Sequence, residues 1–248
     1  MLKIAFKLVV SIVFLVLSVW LISGIATEND IASDVTLESK NMVLGEEGFD
    51  EQAIKAAMVS DYNAQLAANK NTVGWLVIPN VCYYPIMYSV EYDYYLTHDK
   101  YNTISKYGSI FINYQCQPNL DGHITLIHGH NMKDSTMFGQ LQKYLGEDFF
   151  KNNYNIIIYD GKEFKKYMPF SIMICEENND VFNSFEMNSD NRVEYLKDIG
   201  QRSIFKPKFQ YDFDEDRPVI FLSTCDYSFS EARLLVCAYL VEREVASQ

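Results

Sequence analysis

The chain has no Cys-x-x-Cys pair and no His-Glu-x-x-His run among its 248 residues. Its five cysteines, Cys82, Cys116, Cys175, Cys225 and Cys237, are an odd count. These absences argue against a thiolate or helical-histidine zinc site and against a disulfide framework. A free, reactive thiol is what remains to look for. Positive charge is also short: 21 Lys and Arg stand against 33 Asp and Glu, for a net charge of −12. Such a surface repels phosphate backbones and argues against nucleic acid as a partner. Glycine and proline are modest, at 11 and 6, with no internal repeat or low-complexity tract.

What is present is apolar and aromatic. Hydrophobic residues make up 48% of the chain, with 18 Tyr and 16 Phe, which favours a packed, β-rich domain. Residues 8–26 contain no charged side chain. As a helix, those residues would span roughly 28 Å, close to the hydrocarbon thickness of a bilayer. Lys3 and Lys7 precede the run while Glu28, Asp30 and Asp34 follow it. The charge bias leaves 1–7 as a cytoplasmic tail, 8–26 as a transmembrane signal-anchor and the rest of the chain outside. A cleaved signal peptide is the competing reading, but the run is long and Ser23 to Ala26 is a poor cleavage site. Residues 27–48 read as a polar extracellular stalk, and 49–248 as one catalytic-sized domain.

Within that domain, alanine-rich sequence with Ile54, Met58, Tyr62 and Leu66 at i+4 spacing predicts a helix over 50–69. Short β-type runs follow at 75–78, 83–87, 109–112, 124–128, 156–159, 167–174, 219–223 and 233–241. About eight strands across 73–243 predict a closed barrel or a sandwich. Two helices are expected between strands. One covers 137–145; the other covers 190–202, capped by Ser189 with Val193, Leu196 and Ile199 inward.

All four histidines, His98, His123, His128 and His130, precede Cys225. The segment from His123 to Asn131 reads as a strand that breaks at Gly129, so His130 sits just past a strand end, held yet open. The segment Pro218 to Cys225 is a strand ending in a thiol. A short polar loop then leads to Arg233, whose fixed positive charge could face an oxyanion near Cys225. By spacing alone, such a cysteine is more often a small buried hydrophobe.

The motifs together go further. Leu222-Ser223-Thr224-Cys225, with Arg233 eight positions on, resembles the cysteine signature of sortases. Ile127-His128-Gly129-His130-Asn131-Met132 resembles their histidine segment. Gly74-Trp75-Leu76-Val77-Ile78-Pro79, Tyr94-Tyr95-Leu96-Thr97-His98-Asp99 and Lys106-Tyr107-Gly108-Ser109-Ile110-Phe111 are similar to class B members. The resemblance spans roughly residues 50–243. Phe221 stands where the family usually has Thr, and His128 where an aromatic is common.

The resemblance implies a mainly-β sortase-type barrel and a cysteine transpeptidase with Cys225 as nucleophile, His130 as acid/base and Arg233 as oxyanion stabiliser. Ser223, Thr224, Asp226, Tyr227, Ser228 and Asn131 would line the substrate groove. The implied substrate is a secreted protein cleaved after Thr in a C-terminal sorting motif, of the Asn-Pro-x-Thr kind or a close variant that class B members commonly accept. The implied acceptor is an amine of a peptidoglycan precursor, with no metal or organic cofactor. A purely hydrolytic cysteine peptidase and a non-enzymatic surface scaffold are the alternatives.

Overall fold

The computed structural model describes residues 50–177, 179–186, 191–214 and 216–246. The expected anchor at 8–26 and stalk at 27–48 lie outside the described residues. Among the described residues no helix is long and apolar enough to cross a membrane.

The chain opens with helix α1, Glu51–Ala68. Asp50 is its N-cap, and its carboxylate accepts from the Gln52 and Ala53 amides. That satisfies donors which helix geometry leaves free. Ile54, Met58 and Tyr62 bury the expected stripe against Trp75, Tyr83, Tyr159 and Phe164 of the sheet.

Eight strands follow: β1 Thr72–Ile78, β2 Cys82–Met87, β3 Ile110–Ile112, β4 Ile124–His128, β5 Ile156–Tyr159, β6 Glu163–Glu176, β7 Val219–Cys225 and β8 Ala232–Val245. They close in the order β1-β2-β3-β4-β7-β8-β6-β5, with β5 returning to β1. Closure removes unpaired strand edges. Leu76, Ile78, Ile86, Ile112, Ile127, Ile158, Ile172, Leu222, Leu234 and Val236 are fully buried. The eight-stranded closed barrel resolves the choice between barrel and sandwich.

Two departures from the sequence reading have local causes. The helix expected from Met137 instead begins at Gly139, as a 3-10 helix Gly139–Leu145, followed by a short α2, Glu147–Asn152. Ser135 and Met137 both take positive φ, 69° and 51°, so the backbone before Gly139 is a turn. The later helix α3, Arg192–Gln201, has Asn191 at its cap position, and Ser189 lies outside the described residues. Leu196 and Ile199 are buried as expected, while Arg192 is buried beside them and donates to the carbonyls of His123 and Arg217.

Candidate active site

Four strand ends converge at one rim of the barrel. β4 and β7 run parallel, with His128 opposite Ser223. The pairing continues past β4: the Gly129 amide donates to the Ser223 carbonyl at 3.1 Å, and the Thr224 hydroxyl donates to the Gly129 carbonyl at 2.7 Å. This register puts position 130 level with position 225. Only glycine fits at 129, because a Cβ there would lie 2.4 Å from Ile110 Cδ1 and 2.7 Å from Phe138 Cδ2. The close approach of Phe138 thus fixes where the chain turns off the strand into His130.

β7 and β8 form a hairpin in which Cys225 lies directly opposite Arg233. Opposed residues of an antiparallel pair project to one face. Cys175 of β6 opposes Arg233 on its other side. The rim therefore carries a thiol and a guanidinium side by side on a rigid sheet.

The Cys225 carbonyl accepts from Asn131 Nδ2 at 2.8 Å and from Gln142 Nε2 at 3.5 Å. These bonds tie the cysteine's backbone to the segment that follows His130. Burial separates Cys225 from most other thiols: Cys82, Cys116 and Cys237 are buried, while Cys175 and Cys225 are half-buried. Burial pushes the Cys116 and Cys175 thiols up to about 11 and raises Cys82 and Cys237 as well.

The His130 ring is anchored on one side: its Nε2 lies 2.7 Å from the carbonyl of Leu96. A carbonyl can only accept, so Nε2 carries a proton and Nδ1 is left as the nitrogen that can take up or give one. Leu96 ends a 3-10 turn, Tyr94–Leu96, which the sequence reading did not place. His128, two residues earlier at the end of β4, is held between Phe111 and Phe182 and lies 3.2 Å from Asn113 Nδ2. Burial, with help from the Arg233 charge, lowers its pKa to about 4. It therefore adds no charge to the site at neutral pH.

The other expected groove residues mostly serve the frame. Ser223 and Thr224 are buried. Asp226 is buried too; hydrogen bonds from Ser228 and Gln142 outweigh burial, which acts the other way, and hold its carboxyl below the usual range. Ser228 donates both its amide and its hydroxyl to Asp226. Tyr227 is the exception, 72% exposed, with its hydroxyl 3.2 Å from the Asn131 carbonyl. Phe229, which sequence reasoning did not single out, is exposed on the same loop. Glu177 was also missed: its carboxylate binds Arg233 Nη2 at 2.7 Å.

A strand-end thiol opposed by an arginine, laced through Asn131 to a histidine turn on a closed eight-stranded barrel, brings together the groups that acyl transfer through a cysteine requires. The family model for the sortase domain matches residues 87–241, and the chain belongs to the sortase family, enzymes that act on sorting-motif substrates. Within the family its relatives are of class B. Sortase B of Listeria monocytogenes is 33% identical over 181 residues, covering 71% of this chain and 72% of that one. Sortase B of Staphylococcus aureus is 27% identical over 179 residues, covering 70% and 72%. Among solved structures, Clostridium perfringens sortase B superimposes with a TM-score of 0.67 at 26% identity, over 73% of this chain and 99% of that one.

Proposed function

We propose that this sortase cleaves a C-terminal sorting motif of secreted proteins after Thr and joins the new carboxyl end to an amine of a peptidoglycan precursor. Cys225 is the nucleophile, His130 the acid/base and Arg233 the oxyanion stabiliser. The observation that carries this reading is the hairpin register, which sets Cys225 opposite Arg233, combined with the Asn131 bond that laces the histidine turn to the Cys225 carbonyl.

The Cys225 thiol gives its proton to His130 Nδ1, its sulfur attacks the Thr carbonyl carbon, and the carbonyl π electrons move to oxygen. Donors of Arg233 take up that charge, a contribution worth roughly 100- to 1000-fold in rate when one such donor is lost. The C–N bond breaks, the leaving amine takes a proton from His130 Nδ1, and a thioester remains. An incoming amine then attacks the thioester, giving its proton to Nδ1; sulfur leaves as the thiolate while the new amide forms, and takes the Nδ1 proton back. The Leu96 carbonyl supports this cycle because it keeps the Nε2 proton in place and the ring oriented. Residues 8–26 anchor the enzyme as a single-pass membrane protein with the barrel on the extracellular side.

The test is turnover of a panel of quenched Asn-Pro-x-Thr peptides by the soluble domain, with a free amine titrated in and Cys225→Ala as control. Amide product that rises with amine, and vanishes in the control, is expected. Hydrolysis product alone at saturating amine would reduce the enzyme to a peptidase, and unchanged turnover in Cys225→Ala would remove the assignment.

A further inference from the structure

Arg233 does not stand alone at the rim. Glu177 Oε2 accepts from its Nη2 at 2.7 Å, and the Ala232 carbonyl accepts from Nη1 at 3.2 Å. The backbone that carries Glu177 is itself fixed: its amide donates to the Glu231 carbonyl at 3.1 Å, one step beyond the Glu176–Ala232 pair that ends the β6–β8 ladder. The carboxylate is thus carried just past the end of β6, two residues along from Cys175, which pairs with Arg233.

The carboxylate is 54% exposed, while Arg233 is 22% exposed. An ion pair this open adds little to folding stability. Orientation is what it can supply. A planar guanidinium with five donors turns as a unit, so fixing Nη2 and Nη1 fixes the directions of the rest. Glu177 also lies within electrostatic reach of Tyr92, whose hydroxyl is pushed up first by its bond to Asp93 and further by Glu177.

We infer that Glu177 is a positioning residue for the transpeptidation: it holds the Arg233 guanidinium so that its unused N–H donors face the substrate carbonyl oxygen at Cys225. The inference rests on Arg233 as the oxyanion stabiliser. It assigns Glu177 no contact with substrate.

The experiment is a double-mutant cycle on the best-cleaved peptide of the Asn-Pro-x-Thr panel, reading kcat and KM separately. Glu177→Ala should lower kcat about tenfold with KM within about twofold, the mark of a misdirected transition-state contact. Glu177→Asp should restore most of the loss. In an Arg233→Lys background Glu177→Ala should cost nothing further, because the group it orients is gone. Hindered rotation of the Arg233 guanidinium, read from its side-chain nitrogen resonances, should be lost in Glu177→Ala whether or not peptide is present. An unchanged or raised kcat in Glu177→Ala, or unaltered guanidinium resonances, overturns the inference. An Arg233→Lys enzyme with full kcat fails the reading of Arg233 instead, and the two failures are told apart by which single variant is silent.

Discussion

Two cations on the β6–β8 sheet show opposite uses of the same chemistry. Lys165 of β6 is wholly buried, with its ammonium 2.7 Å from Asp121, 2.9 Å from Asp160 and 3.8 Å from Glu163, and a further bond to the Leu120 carbonyl. Arg233 of β8 is half-buried, and its described bonds engage one exposed carboxylate and one carbonyl. A cation whose donors are all engaged can only hold the fold together. One with donors to spare, beside a thiol, can receive a charge that appears during a reaction.

The comparison breaks most visibly at Lys165. Lys165→Met should destabilise the domain by about 2–4 kcal/mol, because the Asp160 side chain, only 10% exposed, loses its charge partner and keeps just two backbone donors. Urea unfolding measures this, and the fraction that stays folded should keep its kcat. Arg233→Ala should do the reverse, lowering kcat by roughly 100- to 1000-fold, or about 3–4 kcal/mol of activation free energy, while the unfolding midpoint hardly moves. If both variants lost stability alike, the contrast would collapse.

Smaller effects sharpen the geometry. Gly129→Ala forces a methyl group against Phe138 and Ile110, so about 1–3 kcal/mol of stability should go. Peptide cleavage should fall with it, because the turn that sets His130 must shift; a thermal melt and a rate measurement on one sample separate the two.

The smallest effect concerns His128. Its folded pKa of about 4 lies below the ordinary value of 6.5, so the unfolded chain protonates first as pH falls. The associated stability is complete above about pH 6.5 and is lost toward pH 4, with a slope of at most about 1.4 kcal/mol per pH unit. His128→Phe should flatten the stability profile across that window. An unchanged slope would mean that His128 is not the group responsible.

Much of this was legible in the sequence, for physical reasons. The β7 run from Val219 to Cys225 is apolar and β-branched, and the glycine before His130 marks the strand break, so both strand ends could be placed beforehand; singling out the thiol, imidazole and guanidinium there rested on the family motifs. The ends of β6 and β8 were cut short because charged residues there broke the apolar pattern. The structure instead carries the ladder through those charges, with Lys165 opposite Arg243 and Lys166 opposite Glu242, and finds their ion partners elsewhere, Asp121 for Lys165 and Arg243 and Glu51 for Lys166. The Leu96 carbonyl and the Glu177 carboxylate were not legible. One is a backbone group in a 3-10 turn, and the other meets its partner across 56 positions of sequence. Neither leaves a local pattern. The frame roles of Asn131, Asp226 and Ser228 were hidden likewise, since a polar loop residue looks the same whether it faces a substrate or its own backbone.

The most direct measurement is acid quenching of the soluble domain during turnover of a cleavable Asn-Pro-x-Thr peptide, followed by mass spectrometry of the digested protein. The account predicts one acyl adduct, ending at the motif's Thr and carried by the peptide containing Cys225, that disappears when amine is added before the quench. An adduct on Cys175, or steady turnover with no thioester on Cys225 in either half of the reaction, would contradict it.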